Sequence, residues 1–144
     1  MYTRAMYCRT LFTATVAISL AAGCHCPYRA ESFSPGARCL TRTELYFGLT
    51  IPGHGGTVTD DQWQGFIDGT VTPLFPDGLT VINAAGQWRE ASGTIAREPT
   101  RIIILLHEPT PQIDAKIERI RGDYKQRFNQ EAVMRVDDRQ RVSF

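Results

Sequence analysis

A run of five aliphatic residues, Ile102–Leu106, lies between Arg101 and His107 and predicts the central strand of a small sheet. Its three isoleucines are β-branched, which suits a pleated surface. Successive side chains of a strand point to opposite faces, so this strand is apolar on both faces. Because one layer of helices covers only one face of a sheet, the other face calls for a second subunit, a ligand or a partner.

Three further segments have the pattern of strands. In the first of them, Leu45 and Phe47 fall on one apolar face. The segment Asn83–Gly86 is expected to turn, and Gln87–Glu90 is expected either to extend a hairpin or to bulge before a long loop up to Pro99. The expected strands besides the central one are Glu44–Ile51, Leu79–Ile82 and Ala132–Val136, with Val142–Phe144 as a final edge segment.

Two segments with apolar residues at helical spacing predict helices. The first helix should begin at a capping box formed by Thr59 and Gln62. The second should begin with Thr110 as N-cap and Pro111 in the first turn, and Asn129 suits its end. The core-facing stripes are Trp63, Phe66, Ile67 and Val71 in the first helix, and Ile113, Ile117, Ile120, Tyr124 and Phe128 in the second.

The predicted order of elements is strand, helix, strand, strand, helix, strand. This order indicates an α+β fold of the ferredoxin-like βαββαβ type, with a four-stranded antiparallel sheet and both helices on one face. The opposite face of the sheet is then left open.

The first residues have the pattern of an export signal. Residues 1–23 combine two arginines with an apolar stretch that is too short to span a membrane. The stretch ends in Cys24 in a sequence that resembles a lipobox, which predicts a lipidated N-terminus at Cys24, with plain cleavage beside Gly23 as the alternative. Residues 24–42 are expected to form a flexible tether and residues 43–144 a single domain.

Charge argues against one class of partner. Residues 1–23 contain two arginines and no acidic residue, so the rest of the chain carries 14 basic and 15 acidic residues. A nearly neutral chain lacks the positive field that nucleic-acid binding requires. Nucleic acid is therefore excluded as a partner.

The cysteines predict a disulfide rather than a metal site. With Cys24 lipidated, Cys26 and Cys39 remain as an even pair in an oxidising compartment, and a bridge between them would be worth roughly 3 kcal/mol. Cys24, His25 and Cys26 are too close in sequence to converge on one tetrahedral ion. No metal and no cofactor are therefore expected.

The open face is the expected functional surface. With the helices on the face of Phe47, the open side is expected to carry Thr50, Ile103 and Leu105. Aromatic rings, a histidine and arginines on an apolar floor suit either a subunit interface or the binding of an anionic or aromatic small molecule. The candidate ligand or interface residues are Tyr46, Trp88, Arg89, Arg101, His107 and Arg135.

Several other polar residues have simpler interpretations. The loop PGHGG around His54 lacks the Lys-Ser/Thr of a phosphate-binding loop, so His54 is interpreted as a solvated loop residue. Glu98 and Glu108, each before a proline, are interpreted as loop residues beside strands, and Asp137 with Asp138 as a solvated pair.

Four segments of the chain together resemble an uncharacterised bacterial family, the domain of unknown function 3574. They are TELYFGL at 43–49, VTPLFPDGLTV at 71–81, GQWRE at 86–90 and REPTRIIILLHE at 97–108. The resemblance implies a short exported protein or lipoprotein and supplies no reaction. Leu74 stands where the family pattern implies Arg. The motif residues matched here are Tyr46, Trp88, Arg97, Glu98 and His107.

Two functional hypotheses follow. The first is a non-catalytic envelope module, anchored through Cys24, that forms a homodimer or binds an envelope protein through the open face. The second is a small-molecule-binding enzyme of the dimeric ferredoxin-like type, with a pocket between two sheets. In that enzyme Tyr46, His107 and an arginine would supply acid/base and anion-binding groups. No paired nucleophile and base is found in the sequence.

Overall fold

The computed structural model describes residues 36–53, 55–89 and 93–144. The predicted export signal, Cys24, Cys26 and His54 lie outside the described residues. Within those ranges, no helix is both long and apolar enough to cross a membrane.

The described chain forms a four-stranded antiparallel sheet, a short two-stranded pairing and two helices. The strands are β1 Arg38–Gly48, β2 Thr50–Ile51, β3 Gly56–Thr57, β4 Thr80–Arg89, β5 Ile95–His107 and β6 Met134–Val142. Helix α1, Asp60–Phe66, continues as a π-helical segment, Ile67–Val71, and a last α-helical turn, Thr72–Leu74, while helix α2 is Pro111–Phe128. The large sheet has the order β4-β5-β1-β6, and β2 pairs with β3. The α+β class with four antiparallel strands and two helices is confirmed.

Both helices begin as the sequence predicts. The Thr59 hydroxyl accepts the backbone N–H of Gln62, and the Gln62 side chain accepts the backbone N–H of Thr59. Thr110 accepts the N–H of Ile113 at the start of α2. Asn129, with φ of 53°, takes the left-handed conformation that ends this helix.

The helices cover the sheet face that carries Leu45 and Phe47, as predicted. The ring of Phe47 lies 5.3 Å from that of Trp63 in α1 and 4.7 Å from that of Tyr124 in α2, both edge to face. Such pairs add roughly 0.5–1.5 kcal/mol each to the burial of the rings. The fully buried side chains that form this core are Leu45, Phe47, Phe66, Val71, Ile103, Leu105, Ile117, Ile120 and Tyr124.

The prediction that Ile103 and Leu105 lie on the open face is wrong. Leu45 of β1 stands directly opposite Ile103 of β5, and directly opposed residues of an antiparallel pair share a face. Ile103, and Leu105 two residues later on the same face, are therefore buried beneath the helices with Phe47. The open face instead takes the alternate residues of β5, which are Ile102, Ile104 and Leu106.

The hairpin of β4 and β5 is longer than predicted. Instead of turning, the segment Asn83–Gly86 continues β4 and pairs with Glu98–Arg101 of β5, and Gln87–Arg89 extends the hairpin, which is one of the two alternatives expected for that segment. Pro99 is tolerated in β5 because β1 ends opposite Thr100, so β5 has only one neighbouring strand in the sheet beyond that point. The carbonyl of Pro99 accepts the N–H of Leu49 where the chain leaves β1.

The outer strands also extend further than predicted. β1 begins at Arg38, inside the segment expected to be the tether, because Arg38–Arg42 pairs with β6. β6 runs to Val142 and includes Asp137 and Asp138, which are exposed, as predicted, but lie on opposite faces of the strand.

Candidate functional site

The face of the sheet away from the helices, called here the open face, is largely apolar. Five of its large apolar side chains, Ile82, Trp88, Leu106, Met134 and Val136, each keep 43–55% of their surface exposed. Ile102 and Ile104 lie between them and are partly exposed. The polar side chains that the register places on this face include Arg38, Arg42, Glu44, Tyr46, Thr80, Glu98, Thr100, Asp138 and Gln140.

Tyr46 lies on the open face and is held by its neighbours on β1. Its hydroxyl donates to the carboxylate of Glu44, which forms an ion pair with Arg42 at 2.7 Å. The hydrogen bond to Glu44 raises the pKa of Tyr46 above its usual value, burial and the Glu44 charge add to this, and the Arg42 charge opposes it. Tyr46 is therefore a neutral hydrogen-bond donor rather than a base.

His107 does not lie on the open face, contrary to its selection as a residue of that surface. It stands opposite Thr41 on the helix side of the sheet, and its Nδ1 lies 3.0 Å from the carbonyl oxygen of Glu108. Its Nε2 lies 2.9 Å from the hydroxyl of Thr43, which donates its own proton to Asp137. Both ring nitrogens therefore have a hydrogen-bond partner on the helix side of the sheet.

The geometry separates the two residues that the sequence offered as acid and base. Tyr46 is on the open face and His107 is beneath the helices, on opposite sides of one sheet. Within one chain they cannot act on the same substrate.

Arg101 and Arg135 also belong to the helix side. Arg101 forms an ion pair with Asp60 of α1, and its guanidinium lies 5.1 Å from the centre of the Trp63 ring. Arg135 bonds Asp114 at 2.7 Å and Glu118 at 2.9 Å, both in α2. Its third carboxylate partner is Asp137 of β6. Burial would lower the pKa of Arg135, but the bonds to these three carboxylates outweigh burial and raise it. These arginines fasten helices to the sheet.

The remaining two candidates sit near the end of the hairpin. Trp88 stands opposite Ala96 on the open face. Arg89, one residue later, stands opposite Ile95 and points to the other side of the ribbon. Of the six candidate ligand or interface residues, the structure thus brings Tyr46 and Trp88 to the open face.

A concavity of about 450 Å³ lies on the open face between Tyr46 and Trp88. Its floor contains Gly48, Gly86 and Ala96, and we call it the Glu98 concavity because the Glu98 carboxylate lies in it. The side chains around it include Thr50, Thr100, Gln130, Glu131 and Met134.

Sequence reasoning missed the two glycines and treated Glu98 as a loop residue. A single glycine inside a strand pattern commonly marks a close approach of another group, and Gly48 carries that signal, whereas Gly86 falls in the segment expected to turn. Among residues 36–53, 55–89 and 93–144 no group of three or more His, Cys, Asp or Glu side chains could hold a metal ion.

Two solved structures share this fold. Phage SAM lyase in complex with S-methyl-5'-thioadenosine aligns with a TM-score of 0.58 and 15% sequence identity, covering 81% of this chain and 97% of that chain. The apo state of phage SAM lyase aligns with a TM-score of 0.53 and 14% identity over the same shares. At this identity the likeness concerns the fold alone. No curated protein matches the sequence.

The family, in contrast, follows from the sequence over most of the chain. Residues 42–144, which include both helices and the large sheet except the first four residues of β1, match the family model described as "Protein of unknown function (DUF3574)". This match confirms the resemblance carried by the segments around Tyr46, Trp88 and Glu98. The chain belongs to that family.

Proposed function

We propose that the protein is a non-catalytic, exported and lipid-anchored envelope module that forms a homodimer through its open face. The observation that supports this most directly is the exposure of large apolar side chains side by side on that face. Ile82 adjoins Ile102 across β4 and β5, and Val136 extends the same surface on β6. Soluble domains seldom expose an extended apolar surface unless it binds something.

A second copy of the chain fits this face better than a charged partner. Arg42 and Glu44 form an ion pair near the centre of the face and neutralise each other there, whereas the Glu98 carboxylate lies toward one end of the face, at the concavity. In a twofold interface the same patch meets itself, which requires a surface without strong excess charge. Two sheets stacked face to face pack about 10 Å apart, which suits the isoleucine, leucine and valine side chains present.

The absence of catalysis in this proposal rests on the placement of the polar groups. Tyr46 donates to Glu44, and His107 is bonded on both ring nitrogens on the other side of the sheet. Arg101 and Arg135 are engaged with carboxylates of the helices. A general base needs reach to a substrate proton, and none of these four side chains has a free acceptor atom directed at the open face; the Glu98 carboxylate, which does lie there, belongs to the second candidate function below.

Export and anchoring are inferred from the sequence. The basic start and apolar stretch of residues 1–23 support export, and Cys24 after Gly23 supports lipid attachment. A tether after Cys24 would end before Arg38, where β1 begins. The strand order β4-β5-β1-β6, with both helices on one face, supports the ferredoxin-like arrangement of the domain.

A small-molecule-binding enzyme with a pocket between two sheets is the second candidate. Two observations favour it: the Glu98 concavity, and the shared fold with phage SAM lyase, which is bound to S-methyl-5'-thioadenosine in one of its structures. Incubating the purified protein with SAM and measuring S-methyl-5'-thioadenosine by mass spectrometry tests it. Release above that of a heat-denatured sample would replace the non-catalytic proposal.

Two adjacent residues of β4 provide the test of self-association. Ile82 lies on the open face and Val81 on the opposite face, with similar exposure of 43% and 38%. We expect Ile82→Glu to raise the dimer dissociation constant at least tenfold, because it would bury a carboxylate at the interface. Val81→Glu should leave the dissociation constant within about twofold of wild type.

Sedimentation velocity over a range of protein concentrations measures both variants, and circular dichroism verifies that they fold. Self-association would be contradicted if the wild-type protein stayed monomeric at a concentration of about 100 µM, at which even a weak biological dimer would form. An Ile82→Glu variant that dimerises as tightly as Val81→Glu would contradict the assignment of the interface to the open face.

A further inference from the structure

The Glu98 concavity has a floor without side chains. Gly48 of β1 and Gly86 of β4 both face it, and Ala96 adds only a methyl group. A Cβ built on Gly48 would come within 2.6 Å of the Glu98 carboxylate, and one built on Gly86 within 2.5 Å of the Thr100 hydroxyl. The two glycines therefore leave room for the side chains of Glu98 and Thr100 to lie against the backbone of the neighbouring strands.

The Glu98 carboxylate is held in place and keeps acceptor capacity. Its Oε2 accepts the backbone N–H of Thr50 at 3.2 Å. Within the described part of the chain its Oε1 accepts no hydrogen bond and no cationic side chain forms an ion pair with it. A carboxylate oxygen can accept two hydrogen bonds, so a bound donor would be satisfied here without breaking an existing contact.

The arginines near Glu98 in sequence do not neutralise it. Arg97 and Gln87 also border the concavity, but the Nε of Arg97 donates to the side chain of Gln87 at 3.2 Å, and in the described part of the chain Arg97 forms no ion pair with Glu98. Arg101 is paired with Asp60 under the helices. Glu131 adds a second carboxylate at the rim of the concavity. The site therefore has an excess of negative charge.

The walls of the concavity supply surfaces that suit a cation with a flat apolar part. Tyr46 and Trp88 present aromatic rings, and Met134, which is 55% exposed, presents a thioether. Aromatic faces attract cations, and methionine sulfur packs favourably against rings. A volume of about 450 Å³ accommodates a small molecule rather than a peptide segment.

We propose that the Glu98 concavity binds a small organic cation that carries an aromatic ring. The cationic group pairs with the Glu98 carboxylate, and the ring packs between Tyr46 and Trp88. This site goes beyond self-association, because every residue in it comes from one chain. A dimer that stacks two open faces would enclose it and strengthen the interaction by excluding water.

The probe for this proposal is 2-phenylethylammonium, with 2-phenylethanol as a neutral molecule of the same shape. Isothermal titration calorimetry on purified protein measures affinity, and amide chemical shifts of Gly48 and Gly86 locate the bound molecule. A charge-assisted hydrogen bond should give the ammonium at least a tenfold tighter dissociation constant than the alcohol. No preference for the ammonium, or shifts elsewhere than at these glycines, would overturn the proposal.

Glu98→Gln should reduce that preference to less than about threefold. Glu108→Gln is the matched control, because Glu108 also precedes a proline at an end of β5 but lies at the far end from the concavity. It should keep the wild-type preference. If Glu98→Gln fails to fold, Gly48→Ala serves instead, since its methyl group displaces the carboxylate without removing the charge. Repeating the titration with Ile82→Glu separates this site from dimer formation: an unchanged preference supports a site within one chain, and its loss overturns that assignment.

Discussion

The carboxylate of Glu98 occupies the space that a side chain at position 48 would need. A Cβ on Gly48 would lie 2.6 Å from Oε1 and 2.7 Å from Oε2 of Glu98. Gly48 is the last residue of β1, and Glu98 lies diagonally across from it on β5. One glycine thus determines where a negatively charged group can sit on the open face.

This relationship predicts a coupling between the two positions. Gly48→Ala should lower the free energy of unfolding by about 1–2 kcal/mol, because the carboxylate must leave the N–H of Thr50 to avoid the new methyl group. When Glu98 is already replaced by Ala, Gly48→Ala should lower the free energy of unfolding by at least about 0.5 kcal/mol less than it does in the wild-type protein. Urea denaturation of the four proteins of this cycle measures the coupling. Equal costs in both backgrounds would contradict the close contact.

A second prediction concerns Arg135, which connects β6 to α2. Its guanidinium contacts Asp114, Glu118 and Asp137 and is only 18% exposed. Arg135→Ala should lower the free energy of unfolding by roughly 2–4 kcal/mol, because it leaves three carboxylates close together without their shared cation.

Arg119→Ala is the control for that substitution. Arg119 is 68% exposed and makes one ion pair, with Asp123 at 3.5 Å. Its loss should change stability by less than about 0.5 kcal/mol. Chemical denaturation measures the free energy of unfolding of both variants. Similar losses in the two would mean that the Arg135 network contributes no more to stability than an exposed ion pair does.

A third prediction concerns how stability depends on pH, through the carboxylates of Asp137 and Glu118 that bind Arg135. Burial alone would raise the pKa of Asp137, but the hydrogen bonds from Thr43 and Arg135 and the charges of Arg135 and His107 outweigh it, so the pKa is lowered. The hydrogen bond from Arg121 likewise lowers the pKa of Glu118. A lowered pKa in the folded state means that the unfolded chain takes up protons first as pH falls.

The sign of the effect on stability follows. Stability from these groups is fully present above their unfolded-state pKa values, roughly pH 4, and is lost as pH falls through the lower folded-state values. Unfolding in urea at a series of pH values should therefore show stability decreasing below about pH 4. In Asp137→Asn the decrease should be smaller, and an equally steep decrease in that variant would exclude Asp137 as a source.

The sequence was sufficient to predict features that depend on local pattern. The alternation through Leu45 and Phe47 identified the core face of β1, and Thr59, Gln62 and Thr110 identified both helix starts, because a cap is formed by residues three apart in the chain. Strand ends were harder to predict. Asn83–Gly86 has turn-forming residues, but pairing with β5 overrides that local preference.

The assignment of faces depended on register, which no local pattern contains. A strand that is apolar on both sides, such as Ile102–Leu106, fits the sheet in either orientation, and only its alignment with Leu45 of β1 decides which residues are covered. His107 shares a face of β5 with Ile103 and Leu105, so the same register places it on the helix side of the sheet. The Glu98 concavity also depends on register, because it requires Glu98 to lie beside Gly48 of a strand 50 residues away in sequence.

The last prediction concerns Tyr124, which contacts the same glycine from the other side of the sheet. Its ring is fully buried among the helices, and its hydroxyl donates to the carbonyl of Gly48 at 2.9 Å. Burial, and to a smaller extent the negative charge of Glu98, raise the pKa of Tyr124 well above its usual value, so the hydroxyl is protonated and donates at neutral pH. This bond fixes the end of β1 beneath the concavity.

Tyr124→Phe should lower the free energy of unfolding by about 1 kcal/mol, the usual net value of such a hydrogen bond. Tyr46→Phe provides the comparison, because its hydroxyl is on the open face and Glu44 keeps its ion pair with Arg42 when the hydroxyl is removed. The Tyr46 variant should lose less than about half as much stability. Urea denaturation measures both, and a Tyr124→Phe variant as stable as wild type would mean that the Gly48 carbonyl is satisfied without Tyr124. A loss confined to Tyr124→Phe would show that helix α2 holds the strand end on which the Glu98 concavity is built.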